Sequence, residues 1–299
     1  MADFRLKVFL SVAKTLSFTK AAHELFVTQP AVTKHIQALE KEYGLPLFTR
    51  KGSRIYLTPA GREFYDYSKR VYALHKHLED TLNIYRDEKA GELTVGASTT
   101  IAQYILPPIL AGFKKKYPKI TLSLLSGNSE QIAEALMKGE IELGLVEGKI
   151  KNRGIKYEIF INDELALASR AHNKNETGEM FDAEQLKNIP LVLRERGSGT
   201  LEVFEYALRN KKIKLSDLNI EIYLGSTEAI KYYLENSNSF GVLSIRAIQK
   251  ELERGVLTIK KVKGLKVTRT FDFISLQGST LSGIASSFKK YAKHYDNKK

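Results

Sequence analysis

The sequence predicts an α/β protein with a small helical domain in front: an N-terminal winged helix-turn-helix, a long linker helix, and a domain of two α/β halves. Three observations carry that expectation. Short amphipathic helices precede a basic hairpin within the first 58 residues. No glycine or proline interrupts the chain from Arg62 to Ala90, and from Gly91 short apolar strands alternate with helices.

Phe4, Val8, Phe9, Val12, Ala13 and Leu16 recur at intervals close to three and four, so the segment from Asp3 to Thr15 is expected to be a helix with one buried face. Thr19 is placed to cap a second helix, "KAAHELF", whose paired alanines let a neighbour approach closely. The third helix lies within "FVTQPAVTKHIQALEKEYGLPLF". Thr28 serves as its N-cap, and Pro30 falls in the first turn, where a missing N–H leaves no bond unmade. Val32, Ile36 and Leu39 share one face and Gln29, Thr33, Lys34 and Gln37 the other, while Gly44 ends the helix with Pro46 just beyond. The stretch "LPLFTRKGSRIYLT" then predicts a hairpin whose tip carries Lys51, Gly52, Ser53 and Arg54. In a winged helix-turn-helix the third helix enters the major groove of DNA and the wing meets the backbone or minor groove. Charge fits that geometry, since residues 1–58 hold nine basic side chains against four acidic ones. A solvated helix face beside a basic hairpin would show the same charge.

The string "LSFTKAAHELFVTQPAVTKHIQALEKEYGLPLFTRKGSRIYLTPAGREF" resembles the DNA-binding domain of the LysR-type transcriptional regulators, continuously from Leu16 to Phe64. The resemblance implies contact with double-stranded DNA through Thr28, Gln29, Pro30, Thr33 and Lys34, with Arg50, Lys51 and Arg54 at the wing. Two positions depart from the family pattern, which usually has serine at Thr33 and arginine at Lys34. Threonine keeps the hydroxyl and adds a methyl group that suits a thymine methyl. Lysine loses the bidentate fork, so Lys34 is expected to favour phosphate over guanine.

Thr58-Pro59 repeats the cap-then-proline signal and opens the long helix, assigned to 59–90 as linker and dimerisation element behind a DNA-binding domain of residues 1–58. Phe64, Val71, Leu78 and Tyr85 are spaced by seven, as are Tyr67, Leu74 and Thr81, which together make the narrow stripe of a coiled coil. A homodimer through this helix sets two reading helices about one DNA turn apart, ~34 Å. The family resemblance implies a homotetramer.

Residues 91–299 form the third region. "ELTVGAS", "ITLSLLS" and "IELGLVE" are expected strands, separated by the helices "TIAQYILPPILAGFKKKY" and "SEQIAEALMKG". A second set follows: "PLVLRE", a helix from about Thr200 to Arg209, "IEIYLG", a helix from Thr227 to Glu235, and "FGVLS". "TRTFDFISLQ" and "LSGIASSFKKYAKHY" close the chain. The two halves resemble the effector-binding domain of the same family, of the periplasmic-binding-protein (type 2) fold, with subdomain I at about 91–162 and 266–299 and subdomain II at about 163–265. A ligand in such folds sits between the halves, beyond the strands' C-terminal ends, where helix N-termini point their N–H groups. Polar turns occupy those positions: Ser98, Thr99 and Thr100; Ser126, Asn128 and Ser129; Ser198 and Thr200; and Thr227. Each hydroxyl also suits an ordinary N-cap, worth about 0.5–2 kcal/mol. Their convergence predicts a small-molecule effector carrying a carboxylate or similar anionic group. Arg194 and Arg196 add positive charge there, and Glu195 and Glu147 stand against it. The segment "RERGSGT" is similar to that of a family subgroup associated with sulfur assimilation and carbon dioxide fixation genes.

Composition narrows the other classes. A net charge of +13 favours a polyanionic partner, and the absence of cysteine removes disulfides, thiolate metal sites and thiol redox sensing. No Gly-x-Ser-x-Gly elbow, phosphate-loop lysine or clustered histidines occur, so neither an enzyme, a metal nor a cofactor is expected. The start lacks a secretory pattern and no segment approaches ~18 unbroken apolar residues, hence no membrane partner and a cytoplasmic protein are expected. The competing expectation is an architectural DNA-binding protein without an effector.

Overall fold

The structure is a computed structural model that describes residues 4–52, 54–84, 90–148, 151–171 and 180–296. Two compact units divide it, one holding the elements up to residue 84 and the other those from residue 90 on.

The first unit comprises α1 (Phe4–Thr15), α2 (Phe18–Glu24), α3 (Gln29–Tyr43), the hairpin strands β1 (Phe48–Lys51) and β2 (Arg54–Leu57), and α4 (Pro59–Ile84). Its core gathers Val8, Phe9, Val12, Ala21, Ala22, Val32, Ile36 and Leu39, whereas Phe4 and Leu16, at the two ends of the expected buried face of α1, are exposed. The cap of α2 differs from expectation. Ser17, not Thr19, is the cap, and its Oγ accepts from the Lys20 N–H at 3.2 Å, so α2 begins two residues earlier. Gly44 ends α3 in the left-handed conformation. The Glu40 carboxylate then accepts from the N–H groups of Leu47 and Phe48 at 2.8 and 3.2 Å, fastening the start of the wing to α3. Thr58 caps α4 by accepting from the Gly61 N–H at 2.9 Å and donates to the Pro46 carbonyl at 2.7 Å. Gly61 is required there, because a Cβ would lie 2.0 Å from the Leu47 carbonyl oxygen.

Within α4 the seven-residue series splits. Phe64 packs edge-on against Phe9 and Tyr43 in its own unit, with ring centroids 4.7 and 5.0 Å apart. Tyr67, Val71, Leu74 and Leu78 are exposed, Leu74 by 69%. Ser53 at the hairpin tip, Tyr85 and the side chain of Thr81 lie outside the described residues.

In the second unit, β3 (Gly91–Ser98) leads through a π-helical turn (Ile101–Ile105) into α5 (Leu106–Lys116). The wide turn has a local cause: Pro107 and Pro108 have no N–H to offer the carbonyls of Gln103 and Tyr104. Then come β4 (Ile120–Gly127), α6 (Ser129–Met137), β5 (Leu143–Glu147), β6 (Ile155–Arg170), β7 (Met180–Phe181) and β8 (Leu191–Arg194). The chain continues through α7 (Gly199–Arg209), β9 (Ile220–Leu224), α8 (Thr227–Glu235), β10 (Phe240–Ser244), α9 (Ile245–Glu253), β11 (Leu257–Val262), β12 (Val267–Leu276) and α10 (Gly283–Asp296).

The strands join in the order β4-β3-β5-β12-β6-β10-β8-β9, with β11 also on β6 and β7 beside β11. β3, β4 and β5 are mutually parallel, as are β8 with β9 and β10, so each end holds a parallel set. β6 and β12 pair antiparallel from Val267↔Leu165 to Leu276↔Ile155, with a register shift between Phe271 and Asp272. These strands belong to both halves. One core, around Phe113, Leu143, Phe271 and Phe288, lies on the β3 side; another, around Leu191, Phe204, Leu208 and Phe240, lies on the β8 side. The sixteen-residue length of β6, the helix α9 and the strand β11 do not figure in the sequence-based expectation. Among the described residues, no helix is long and apolar enough to cross a membrane.

Candidate DNA interface and effector cleft

On α3, Gln29, Pro30 and Lys34 are exposed and Thr33 is half-buried, while the opposite face is core. Thr28 is committed to the cap, accepting from the Ala31 N–H at 3.4 Å. Gln29 and Thr33 hold each other: Gln29 Nε2 donates to Thr33 Oγ1 at 2.8 Å, and Thr33 Oγ1 donates to the Gln29 carbonyl at 3.2 Å. One amide N–H and Oε1 of Gln29 remain, which is the donor–acceptor pair that fits adenine N7 and N6. At the wing, Arg50, Lys51 and Arg54 are exposed, Lys51 and Arg54 are cross-strand partners, and the Arg50 guanidinium lies 5.8 Å from the centre of the Phe18 ring.

Most of the polar turns of the second unit converge, and several of their hydroxyls bond within the cleft. Ser98 donates to the Glu147 carboxylate at the end of β5, and Ser129 Oγ donates to the Glu147 carbonyl at 2.7 Å. Thr100 and Thr227, from opposite halves, bring their hydroxyls to 3.4 Å. Ser198 caps α7 through the Thr200 N–H at 3.3 Å, and Asn128 caps α6 through the Gln131 N–H at 2.9 Å. The buried Thr99 hydroxyl has no partner. Ser126 is exposed on the edge strand β4 and takes part in none of these bonds.

At the crossing strands lies an arginine that sequence reasoning passes over. Arg269 on β12 is 1% exposed in its side chain. Its Nε donates to Asp163 at 2.7 Å and its Nη1 to Thr200 Oγ1 at 2.9 Å, with Glu147 3.3 Å from Nη1. Ser244 at the end of β10 also donates to Asp163, at 2.6 Å. Nη2 of Arg269 is buried without a partner. The sequence signal was slight: Asp163 and Arg269 interrupt otherwise ordinary strands, "FINDELALA" and "VTRTFDFIS". Arg194 proves to be buried, its Nε and Nη2 on the Glu195 carboxylate and Nη2 also on the Gly225 carbonyl, while its Nη1 is buried without a hydrogen-bond partner, away from the two cavities that flank Arg269. Gly199 lets α7 seat against β5, since a Cβ there would fall 2.0 Å from the Glu147 carbonyl oxygen.

Two cavities flank this cluster. One of 840 Å³ is lined by Lys151, Asp163, Glu164, Arg246, Gln249 and Arg269, so three cations face two carboxylates. The other, of 610 Å³, includes Glu130, Glu147, Glu202, Glu205 and Asp272 against Lys151 and Arg196, and is acidic.

A second set of bonds ties the halves together. Tyr104 in the π-helical turn donates to Glu228 on α8, and Lys231, buried on the same helix, reaches Glu228 at 2.9 Å and Glu251 on α9 at 2.7 Å. Burial, reinforced by the Glu228 carboxylate, pushes the Tyr104 phenol well up. Burial opposes charge on Glu228 and Lys231 alike. Their hydrogen bonds override it, holding the carboxyl below its usual range and the ammonium above its own.

A helical reading domain with a basic wing, followed by two α/β halves around a polar cleft, defines a ligand-responsive DNA-binding protein. The family described as "Bacterial regulatory helix-turn-helix protein, lysR family" matches residues 4–62, and "LysR substrate binding domain" matches residues 86–296. The chain belongs to the LysR family of transcriptional regulators; it is a DNA-binding regulator controlled by a small metabolite and not an enzyme. It is 33% identical to the HTH-type transcriptional activator CmpR of Synechocystis, over 98% of this chain and 95% of that one. CbnR in complex with its target DNA has the same fold, with a TM-score of 0.69 at 22% identity over 97% of this chain and 98% of that one. The regulatory domain of Synechocystis PCC6803 CcmR, solved in complex with 2-PG, is 27% identical with a TM-score of 0.62, covering 69% of this chain and 97% of that one.

Proposed function

We propose that this regulator binds its operator in the cytoplasm as a twofold dimer, and that an anionic metabolite in the cleft selects its assembly state. Gln29, Thr33 and Lys34 meet the major groove, Thr28 and Pro30 set the helix end against the backbone, and Arg50, Lys51 and Arg54 neutralise phosphates along the wing. The exposed stripe Tyr67, Val71, Leu74 and Leu78 on α4 supports the dimer contact, and pairing of dimers gives the tetramer.

The observation that carries the effector reading is Arg269. Its Nη2 is a buried donor without an acceptor, and leaving such a group unmet is costly. It lines the cation-rich cavity with Arg246 and Lys151, both exposed. An anion there completes the guanidinium, whose Nη1 is held by Thr200; Ser129 and Ser198 line the acidic cavity instead, and Ser98, Thr99, Thr100 and Thr227 lie outside the lining of both. Asn128 stands in the β4–α6 turn, and Ser126 stays apart on the exposed edge strand β4. Because a ligand shifts an equilibrium only through differential affinity, the anion must bind one closure state of the halves more tightly, and that preference is passed to the assembly on DNA.

The test is a thermal-shift and calorimetric screen of the full chain against small carboxylates and phosphate esters, with small amines as the contrast. Saturable stabilisation by an anion is expected. Arg246→Gln should weaken it by about tenfold, the scale of one charge-assisted bond, without altering the unliganded melting temperature, whereas Lys151→Gln should weaken it similarly but also lower that temperature, because it leaves the buried Asp272 carboxylate unpaired. A response confined to amines would place the ligand in the acidic cavity and overturn the reading.

A further inference from the structure

Phe26 combines two unfavourable properties. Its φ of +55° puts a bulky side chain in the left-handed region, and the residue is 95% exposed. The conformation is firmly imposed. Leu25 and Val27 on either side pack against the core of the first unit, and the N–H groups of Leu25, Phe26 and Val27 bond to the carbonyls of Ala21, His23 and Ala22 at 3.0, 3.3 and 3.0 Å. With both neighbours anchored inward, the ring is held out in solvent two residues before the cap of α3. Asparagine or glycine would suit this backbone better, and any polar residue would suit the exposure, so folding supplies no reason for phenylalanine here.

We propose that Phe26 is an apolar DNA contact, resting on the 5-methyl groups of thymines beside the base pairs met by Gln29 and Thr33. This rests on the reading of α3 as the major-groove helix. Proximity to that helix's exposed N-terminus and the basic excess of residues 1–58 bring the ring to a duplex rather than to another protein. An apolar contact of this kind adds sequence preference without neutralising phosphate, so it leaves the salt dependence of binding untouched.

The experiment uses the full chain, a duplex recovered by selection from a random-sequence pool, and a scrambled duplex of equal composition. Preference of the unaltered protein for the selected duplex checks the DNA reading separately from Phe26. Phe26→Asn should melt no lower than the parent, bind the selected duplex about 5- to 20-fold more weakly, and keep the parent's slope of log K against log salt. Replacing single thymines by deoxyuridine, which removes only the methyl group, should weaken the parent at one or two positions and leave Phe26→Asn unaffected. Unchanged affinity of Phe26→Asn overturns the proposal, as does equal sensitivity of both proteins to deoxyuridine. Sedimentation showing that Phe26→Asn loses affinity by dissociating would assign the ring to a second copy of the chain instead.

Discussion

At the scale of single residues, the mutual hydrogen bonds of Gln29 and Thr33 change what a threonine substitution means. The Thr33 hydroxyl restrains the Gln29 amide, so its removal frees a reading group as well as deleting a contact. Thr33→Ala is expected to lower discrimination at the adenine position by about 1 kcal/mol, seen as a broadened consensus in selection from a random pool. Arg50→Ala should weaken all sequences about equally and reduce the salt slope by about 0.9, one phosphate's share. The opposite pattern for the two variants, read by the same binding titrations, would exchange their roles. Reading these side chains from the sequence was feasible because α3 is local: cap, proline and apolar spacing lie within sixteen residues of one another. Arg269 was not legible, since its partners Asp163, Glu147 and Thr200 come from distant segments and only the folded sheet assembles them.

Elements show where local chemistry suffices and where it does not. The wing and α4 follow from Thr58, Pro59 and Gly61, but the start of α2 does not follow from its own residues, because Ser17 and Thr19 are equally good caps in isolation. In the fold, Thr15 at the end of α1 donates its hydroxyl to the Ser17 carbonyl at 3.1 Å, a restraint on Ser17 that joins two elements. For α4, Leu74→Glu places a charge in the exposed stripe and should dissociate the dimer while leaving the helical content of the chain unchanged, measured by sedimentation and circular dichroism. The tether of α10 to β6 gives a pH signature. Hydrogen bonds from Lys289 and Lys293 lower the Glu158 carboxyl from 4.5 to about 2. A depressed folded-state value means the stabilisation is complete above about 4.5, the unfolded value, and fades as pH falls toward 2. Lys289→Met with Lys293→Met should therefore reduce stability at neutral pH and flatten the acid limb of the unfolding curve between those values. An unaltered acid limb would show that Glu158 is not the group responsible.

At the scale of the whole chain, the order of elements was largely readable, because strands and helices alternate with clear polar turns. That strands cross between the halves near residues 162 and 266 follows from the family resemblance; what the sequence hides is that β6 runs through the crossing unbroken, since no periodicity distinguishes one sixteen-residue strand from two short ones. The same limit explains why the hydroxyl turns were found but not their pairing, since Thr100 and Thr227 stand 127 residues apart. The Tyr104–Glu228–Lys231–Glu251 chain of bonds predicts a measurable restraint on opening. Tyr104→Phe keeps the ring and removes the donor to Glu228, so amide exchange should quicken at 99–105 and 227–231, followed by mass spectrometry without effector. Equal exchange in both proteins would show that this bond does not hold the halves together.

The pairing of β6 with β12 has a mechanical consequence. The connection between the halves is a hydrogen-bonded ribbon, not a pair of loops, and its register shift at Phe271 and Asp272 falls within the ribbon. Rotation of one half against the other therefore twists this band, most readily at the defect, and the paired strands resist it. Such a spring favours a graded, readily reversible response, in which a ligand biases the resting angle instead of throwing a latch.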